Sequence, residues 1–341
     1  MSKCKNCGGK LSFSPQDKGN KCNHCGSMFP IDYIYEFSKK PFSENVDLKV
    51  DEFADTLKRV SCSSCGASVF LDKYQMQNIC AYCGNKSIIK NKKTKLMYID
   101  SIIPFSFDKN EALKRFKSAV KKNFFSNKTI LKSVTSEDIV GTYVNAFVFD
   151  FSTKSTYKGV FVYEETVTNN GKRETVEETK HVSGTYEKVY KNITVEANSN
   201  LDQEDLASIM PFDYSKMVKF NPDFMSNYML EYQDKMFDEC VENAKDIIKQ
   251  KMKYELLRKH HCDRVRSLDI DTKYPIERYN YCLLPVYFVN AKKKDKQYKI
   301  VMNAQNGEVG NLPKNWWLTI LSLFLVSGLI IGFLFFIFLL R

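Results

Sequence analysis

Residues 4–26 read CKNCGGKLSFSPQDKGNKCNHCG, and the same spacing returns in residues 62–84, CSSCGASVFLDKYQMQNICAYCG. Each stretch holds two Cys-x-x-Cys pairs, and a glycine follows each pair. Two such pairs can bring four thiolates onto one tetrahedral ion, with Zn–S distances of about 2.3 Å. The pattern therefore predicts two zinc ions. The predicted ligands are Cys4, Cys7, Cys22 and Cys25 in the first module and Cys62, Cys65, Cys80 and Cys83 in the second.

Both modules are too short to bury a hydrophobic core of their own, so metal binding is expected to supply their folding energy. Four protein ligands leave no open coordination position, which predicts structural rather than catalytic ions. A thioredoxin-like redox pair is the alternative, but it would need one pair in a βαβ setting, and here four pairs occur in two matched sets. His24 lies between two cysteines, and we expect it to face solvent or to support a ligand.

The charge of the chain suits an anionic partner. The 341 residues carry a formal net charge of +11, and most of the positive charge comes from lysine. An excess of lysine fits an anionic lipid surface and a nucleic acid equally well. In residues 1–30 five lysines oppose one aspartate, whereas the second module is nearly neutral. Neither module contains an arginine. A solvated lysine face is therefore the preferred interpretation, and a nucleic-acid-binding face is the alternative.

The last segment is strongly apolar. Residues 316–340, WWLTILSLFLVSGLIIGFLFFIFLL, carry no charge and are long enough to cross a bilayer as a helix. Trp316 and Trp317 stand where indole rings favour the headgroup layer. Lysines precede the segment, only Arg341 follows it, and the N-terminus lacks a signal-peptide pattern. We therefore expect a single-pass, C-terminally anchored protein of the cell membrane, with its N-terminus in the reducing cytoplasm, where cysteines favour metal over disulfides.

These features divide the chain into six predicted segments. They are zinc ribbon 1 (1–30), an inter-ribbon segment (31–60) with a short helix near 44–60, zinc ribbon 2 (61–90), a basic linker (91–100), an α+β domain (101–312) and a transmembrane helix (316–340). The expected fold class is thus two small all-β zinc ribbons plus an α+β cytosolic domain with antiparallel strands and a long helix, and one C-terminal transmembrane helix.

Within the α+β domain, Asp108 and Glu111 form a capping-box-like start to an amphipathic helix over 109–125. Alternating residues between 140 and 195, with a turn at 169–172, predict an antiparallel meander.

A second helical pattern begins at Asn221-Pro222-Asp223 and reaches as far as His260. A single helix of this length would be longer than the domain needs, so we expect it either to break or to project from the domain. Its methionine and aromatic stripe predicts core packing, with a partner-docking face as the alternative. His260, His261 and Cys262 are interpreted as a helix end rather than as a ligand cluster.

Several segments resemble a known family, the membrane-bound TFIIB-type zinc-ribbon proteins of Firmicutes and their relatives. The segments are the Cys-x-x-Cys-Gly pairs, PFSFDKNEALKRF (104–116), VGTYVNAFVFD (140–150), MPFDYSKMVKFNPDFMSNYMLEYQDK (210–235), CLLPVYFVN (282–290) and YKIVMNAQNGE (298–308). Some relatives carry one ribbon, so the duplication departs from the simplest pattern. The resemblance implies a membrane adaptor without established catalytic activity, and partnership with envelope-stress proteins like phage shock protein A.

No phosphate-binding loop or nucleophile elbow is present, so no catalytic residue, small-molecule substrate or enzymatic activity is expected. A catalytic site assembled from distant residues stays open. The expected function is a non-enzymatic, membrane-anchored zinc-ribbon adaptor that recruits a cytosolic protein to the inner membrane face. The suspected partner is a phage-shock-protein-A-like envelope-stress protein. The alternative is a membrane-tethered nucleic-acid-binding zinc-ribbon protein.

Overall fold

The computed structural model places both cysteine modules against one large β-sheet. It describes residues 3–35, 39–42, 57–72, 79–85, 88–90, 97–169, 172–293, 296–318, 320–321, 324–325, 327–328 and 332. Most of the short helix predicted near 44–60 and of the basic linker predicted over 91–100 lies outside these residues. The end of the predicted helix is described, and it is a strand that begins at Leu57.

The strands divide into two sheets. The first module has its own antiparallel sheet of β1 (Leu11–Ser14), β2 (Gly19–Cys22) and β3 (Met28–Pro30). The other described strands form one 12-stranded sheet. They are β4 (Lys40–Pro41), β5 (Leu57–Cys62), β6 (Ser68–Asp72), β7 (Ile88–Lys90), β8 (Ser101–Ile102), β9 (Ile139–Asn169), β10 (Lys172–Glu196), β11 (Val218–Lys219), β12 (Met229–Glu231), β13 (Arg264–Lys273), β14 (Ile276–Lys293) and β15 (Lys296–Asn303).

This large sheet corrects the expected fold class. It is mixed, because β12 runs parallel to β9 and β8 runs parallel to β14, while its other strand pairs are antiparallel. The strands of the second module, β5 to β7, join it through the pairing of β6 with β12. The second module is therefore not the separate small ribbon that its sequence predicts. Its strands form one end of the main sheet, where β12, β6, β5 and β7 follow one another and β7 is the outermost.

Strand β9 forms the centre of the sheet and is buried on both faces over its first half. Its side chains alternate between the faces, as in any strand. Tyr143 and Phe147 pack in the same core cluster as α1 (Lys109–Lys122) and α3 (Phe237–His260). Val144 and Val148 pack with α2 (Gln203–Ser208) and the second module. The near-continuous apolar run of β9 follows from this double coverage.

Beyond the core, β9 and β10 form one long hairpin instead of a meander of short strands. They pair from Asn169 with Lys172, at the predicted turn, back to Ala146 with Glu196. Like charges face each other in the outer part, where Glu164 lies opposite Glu177.

Helix α1 confirms its predicted start. The side chain of Asp108 accepts hydrogen bonds from the amides of Asn110 and Glu111, both at 2.9 Å. The helix ends at Lys122 instead of 125, because Asn123 adopts an extended backbone. Phe124, which falls within the predicted helix, therefore lies outside the core and is 63% exposed.

The helical pattern predicted from Asn221 to His260 breaks. Asn221 caps only a short 3-10 helix, Pro222–Met225, and strand β12 follows it. Helix α3 begins at Phe237. The break has a tertiary cause: β12 bonds to β9 on one side and to β6 on the other, and these ladder bonds are incompatible with a helix.

The predicted transmembrane helix over 316–340 is wrong for the part of the chain that the structure describes. No helix among those residues is long and apolar enough to cross a membrane. A span needs about 20 consecutive apolar helical residues. The longest unbroken run of described helical residues in this segment is 316–318, and most of the positions that follow lie outside the described residues. The predicted single-pass, C-terminally anchored localisation in the cell membrane rested on that helix and is wrong with it.

Candidate metal centres

Eight cysteines come together as two tetrads, and they are the eight predicted metal ligands. Cys4, Cys7, Cys22 and Cys25 form the first tetrad, and Cys62, Cys65, Cys80 and Cys83 form the second. The Sγ atoms within each tetrad lie within 4.8 Å of one another. Two Sγ···Sγ contacts measure 3.5 and 3.6 Å in the first tetrad, and two measure 3.6 and 3.8 Å in the second. Each tetrad is close enough to hold a metal ion.

All four Cys-x-x-Cys-Gly units fold into the same tight turn. The glycine amide donates to the carbonyl of the first cysteine, and the amide of that cysteine donates to the carbonyl of the residue after the glycine. Closing this turn requires a positive φ, which glycine adopts without steric cost. The glycines Gly8, Gly26, Gly66 and Gly84 have φ between 64° and 77°. The turn explains why a glycine follows every pair.

Hydrogen bonds to sulfur prepare the first tetrad for a cation. The Ser27 hydroxyl lies 3.1 Å from Cys25 Sγ, and this bond together with one from the Ser27 backbone lowers the pKa of Cys25 to about 6. The amides of Cys25 and His24 point at Cys22 Sγ and lower the pKa of that thiol, although burial opposes them. Hydrogen bonds to sulfur thus lower the pKa of Cys22 and Cys25, whereas the pKa of Cys7 is raised. Since metal ligands must be thiolates, a bound cation would displace the remaining protons.

The thiols of the second tetrad differ more widely. Burial raises the pKa of Cys62, but amide hydrogen bonds from Cys65 and Ser64 outweigh it and hold the pKa at about 7. Burial raises the pKa of Cys65 to about 11 and raises that of Cys80 further. The second tetrad is therefore the more desolvated of the two, in keeping with its place in the main sheet.

Gly9 is a site residue that the spacing of the cysteines did not reveal. A Cβ atom at this position would lie 3.1 Å from Cys22 Sγ, 3.2 Å from Cys7 Sγ and 2.8 Å from His24 Cβ. The backbone of Gly9 thus forms part of the wall of the first tetrad. The second glycine of the sequence CGG was the available signal.

The first module docks on the segment between β11 and β12 through one aromatic side chain. The Phe13 ring meets Phe224 and Tyr228 edge to face, at centroid distances of 5.4 and 6.3 Å. The Phe13 amide donates to the Ser226 carbonyl at 3.0 Å, and Asn20 donates to the Asp223 carbonyl at 3.1 Å.

The second module is tied to the next part of the same segment. The Tyr82 hydroxyl donates to Glu231, and the Tyr82 ring packs on Phe288 at 4.9 Å. Glu231 is fully buried on β12 and also accepts from the Asn145 amide at 3.2 Å. Burial raises the pKa of Glu231 to about 8, against the opposing effect of these hydrogen bonds. Residues 222–232 therefore connect the two tetrads.

Within the described ranges of the chain, no histidine ring belongs to a tetrad. His24 is exposed, and the amide of His24 rather than its ring points at a ligand sulfur. His260 ends α3, and its Nε2 lies 2.8 Å from the Tyr157 hydroxyl. Among the described residues, His260, His261 and Cys262 do not form a group that could hold a metal.

A groove of about 600 Å³ lies between the first module and loops of the main domain. Pro15 and Lys18 of the first module form part of its wall, and Tyr33, Phe212 and Lys216 form other parts. Lys18 Nζ lies over the Tyr33 ring, at 5.7 Å from the centroid. The groove is aromatic with lysines at its rim, and its shape depends on the position of the first module.

The chain is similar to the uncharacterized protein YdjG of Bacillus subtilis (strain 168). The two are 24% identical over 318 residues, which is 91% of this chain and 89% of the relative. No family model matches the chain, and no solved structure matches it. The match supports the coarser part of the predicted resemblance, a YdjG-like group. The match does not test the TFIIB-type zinc-ribbon assignment, which stays a prediction.

Proposed function

We propose that the chain is a non-enzymatic adaptor in which two structural zinc ions hold the modules that present a protein-docking surface. The observation that carries this proposal is the closed ligand set: each tetrad offers four thiols and leaves no position for a substrate or a reactive water. Such a site stabilises a fold and does not perform chemistry on a ligand.

The spacing of the sulfurs supports zinc. The edge of a regular tetrahedron is about 1.63 times its centre-to-corner distance, so a Zn–S bond of about 2.3 Å corresponds to an S···S edge of about 3.8 Å. The four sulfur contacts measure 3.5–3.8 Å. Soft thiolate ligands select zinc or iron over magnesium and calcium. Elemental analysis of the purified chain distinguishes zinc from iron.

The groove beside the first module is the proposed docking site for the partner. Tyr33 and Tyr35 supply apolar contact area, and Lys18 and Lys216 outnumber Asp213 in the groove lining, which favours an acidic partner segment. Because part of the groove wall belongs to the first module, loss of the first zinc would disassemble the docking site. The suspected phage-shock-protein-A-like protein is the first partner to test.

Nucleic-acid binding is less well supported by the geometry. The lysines of the first module are exposed, but its Phe13 ring is buried against the main domain and offers no stacking face for a base.

The test places a photo-crosslinking amino acid at position 35 of the full chain in cells. Position 98 serves as the matched control, because Tyr98 is also an exposed tyrosine but lies outside the groove lining. We expect position 35, and not position 98, to crosslink one protein reproducibly, and C4S/C7S to abolish the product. Equal products at both positions, or products that survive C4S/C7S, would refute the docking site.

Metal content and nucleic-acid binding are measured on the same variants. We expect two zinc ions per chain in the wild type, one in C4S/C7S and one in C62S/C65S. Iron in either tetrad would refute the zinc assignment. A salt-sensitive shift of DNA or RNA by the wild type that C4S/C7S abolishes would favour the nucleic-acid-binding alternative over the adaptor.

A further inference from the structure

We propose that Phe124, Phe125, Trp316 and Trp317, with the lysines around them, form a docking surface for anionic lipid headgroups. We call this set the aromatic–lysine surface. It is a peripheral contact that needs no membrane span, and it lies apart from both tetrads and from the groove.

The first half of this surface arises where α1 ends. Because the helix stops at Lys122, the Phe124 and Phe125 side chains leave the core and are 63% and 41% exposed. Their rings meet edge to face at a centroid distance of 5.3 Å. These two adjacent exposed phenylalanines begin an apolar patch, and contiguous patches rather than single residues mark interaction sites.

The tertiary structure brings the two tryptophans to the same place. The Asn315 amide donates to the Phe125 carbonyl at 2.7 Å, and the Asn127 amide donates to the Pro313 carbonyl at 2.7 Å. Ser126 and Lys314 form a β-bridge between these two bonds. Trp316 and Trp317 follow directly and are 76% and 80% exposed.

The sequence around these four rings is basic. Between Glu111 and Glu137 the sequence contains no acidic residue, and none follows Glu308. The exposed lysines nearest in sequence to the rings are Lys121, Lys122, Lys128 and Lys314. In the described part of the chain, none of these four forms an ion pair with a carboxylate. Their charge is therefore available to an anionic partner.

The chemistry favours lipid over protein or nucleic acid. Indole rings prefer the headgroup layer, apolar side chains reach the acyl boundary, and lysines contact anionic headgroups while their stems cover apolar area. Ile320, Leu321, Phe324 and Leu325, a few residues further on, are also apolar and exposed. A surface that binds nucleic-acid bases or a protein hot spot would be expected to present arginine rather than lysine. The arginine of α1, Arg115, is instead paired with Glu111.

The test uses the intrinsic fluorescence of the full chain, whose two tryptophans are both in the surface. Vesicles of phosphatidylcholine alone are compared with vesicles of phosphatidylcholine and phosphatidylserine. We expect a blue shift and quenching by brominated acyl chains with the anionic vesicles only, and weakening of both by salt.

Two pairs of variants complete the test. K121Q/K122Q removes two lysines of the surface and is expected to weaken binding about 30-fold, whereas K249Q/K253Q removes two exposed lysines of α3 and should leave binding unchanged. F124S/F125S is expected to weaken binding at least about tenfold, whereas Tyr254→Ser, at another exposed aromatic, should not.

Circular dichroism and metal content verify that each variant is folded. Equal binding to neutral vesicles, equal effects of the two lysine pairs, or no binding to either vesicle would overturn the proposal. Crosslinking from position 35 should persist in K121Q/K122Q, so failure of the lipid surface and failure of the adaptor function are distinguishable.

Discussion

Replacing Glu231 with glutamine should remove a specific pH dependence of the stability of this protein. Burial raises the pKa of the Glu231 carboxyl from 4.5 to about 8. Between these values the folded chain keeps the proton and the unfolded chain has lost it. Because the unfolded state then binds fewer protons, the free energy of unfolding falls as the pH rises, by about 1.4 kcal/mol per pH unit. From about pH 5.5 to about pH 7.5 the loss is about 2.5 kcal/mol, because the slope flattens as the pH approaches 8.

The assay is urea unfolding of the wild type and of E231Q, followed by circular dichroism across this pH range. E231Q places a side-chain amide next to the Asn145 backbone amide, which lowers the free energy of unfolding. This loss is independent of pH, so it shifts the plot of unfolding free energy against pH without changing its slope. Titrating thiols contribute equally to both proteins and cancel in the difference.

Glu255→Gln is the matched control for this slope. The pKa of Glu255 is lowered, because hydrogen bonds from Lys188, Tyr186 and Tyr190 outweigh its partial burial. Its stabilising effect is therefore lost only as the pH falls below the ordinary range of a glutamate, and the slope over the measured range should not change. Parallel curves for the wild type and E231Q would refute the buried, protonated state of Glu231.

Three further predictions concern the modules and the hairpin. Gly9→Val should expel the first metal ion, because its side chain would meet Cys22 Sγ, and elemental analysis should show one ion per chain; two ions would contradict the proposed wall. Phe13→Ala should loosen the docking of the first module by about 3 kcal/mol, seen as faster proteolysis of residues 3–30 with unchanged metal content; unchanged proteolysis would mean that other contacts hold the module. Arg264 pairs with both Glu164 and Glu177, so Arg264→Ala should speed amide exchange in the outer hairpin about fivefold; equal exchange rates would show that this cation is dispensable.

The two modules share a motif but differ in their structural roles. The first has a three-stranded sheet of its own and touches the main domain mainly through β1, β2 and the Phe13 contacts. The second supplies strands and buried side chains, among them Val69 and Ala81, to one core of the large sheet. We therefore expect C4S/C7S to act locally, and C62S/C65S to lower the stability of the whole domain.

The sequence alone determined those features that depend on contacts between residues close together in the chain. The tetrads follow from Cys-x-x-Cys-Gly turns, each closed by backbone bonds within six residues, and the start of α1 follows from Asp108 capping the next two amides. Within each module, only the contact between the two Cys-x-x-Cys pairs spans a longer stretch of chain. That contact was predictable because the same spacing of the two pairs occurs twice in the sequence.

What only the tertiary structure decided depends on partners distant in the chain. Met229–Glu231 is a strand because β6 and β9 bond to it, although its residues continue a helical pattern. The second module joined the main sheet through those same bonds. The exposed phenylalanines after α1 met the tryptophans through backbone bonds between segments far apart in sequence. Hydrogen bonds of this kind leave no local pattern, because any exposed backbone edge can form them, and the fold alone chooses which edges meet.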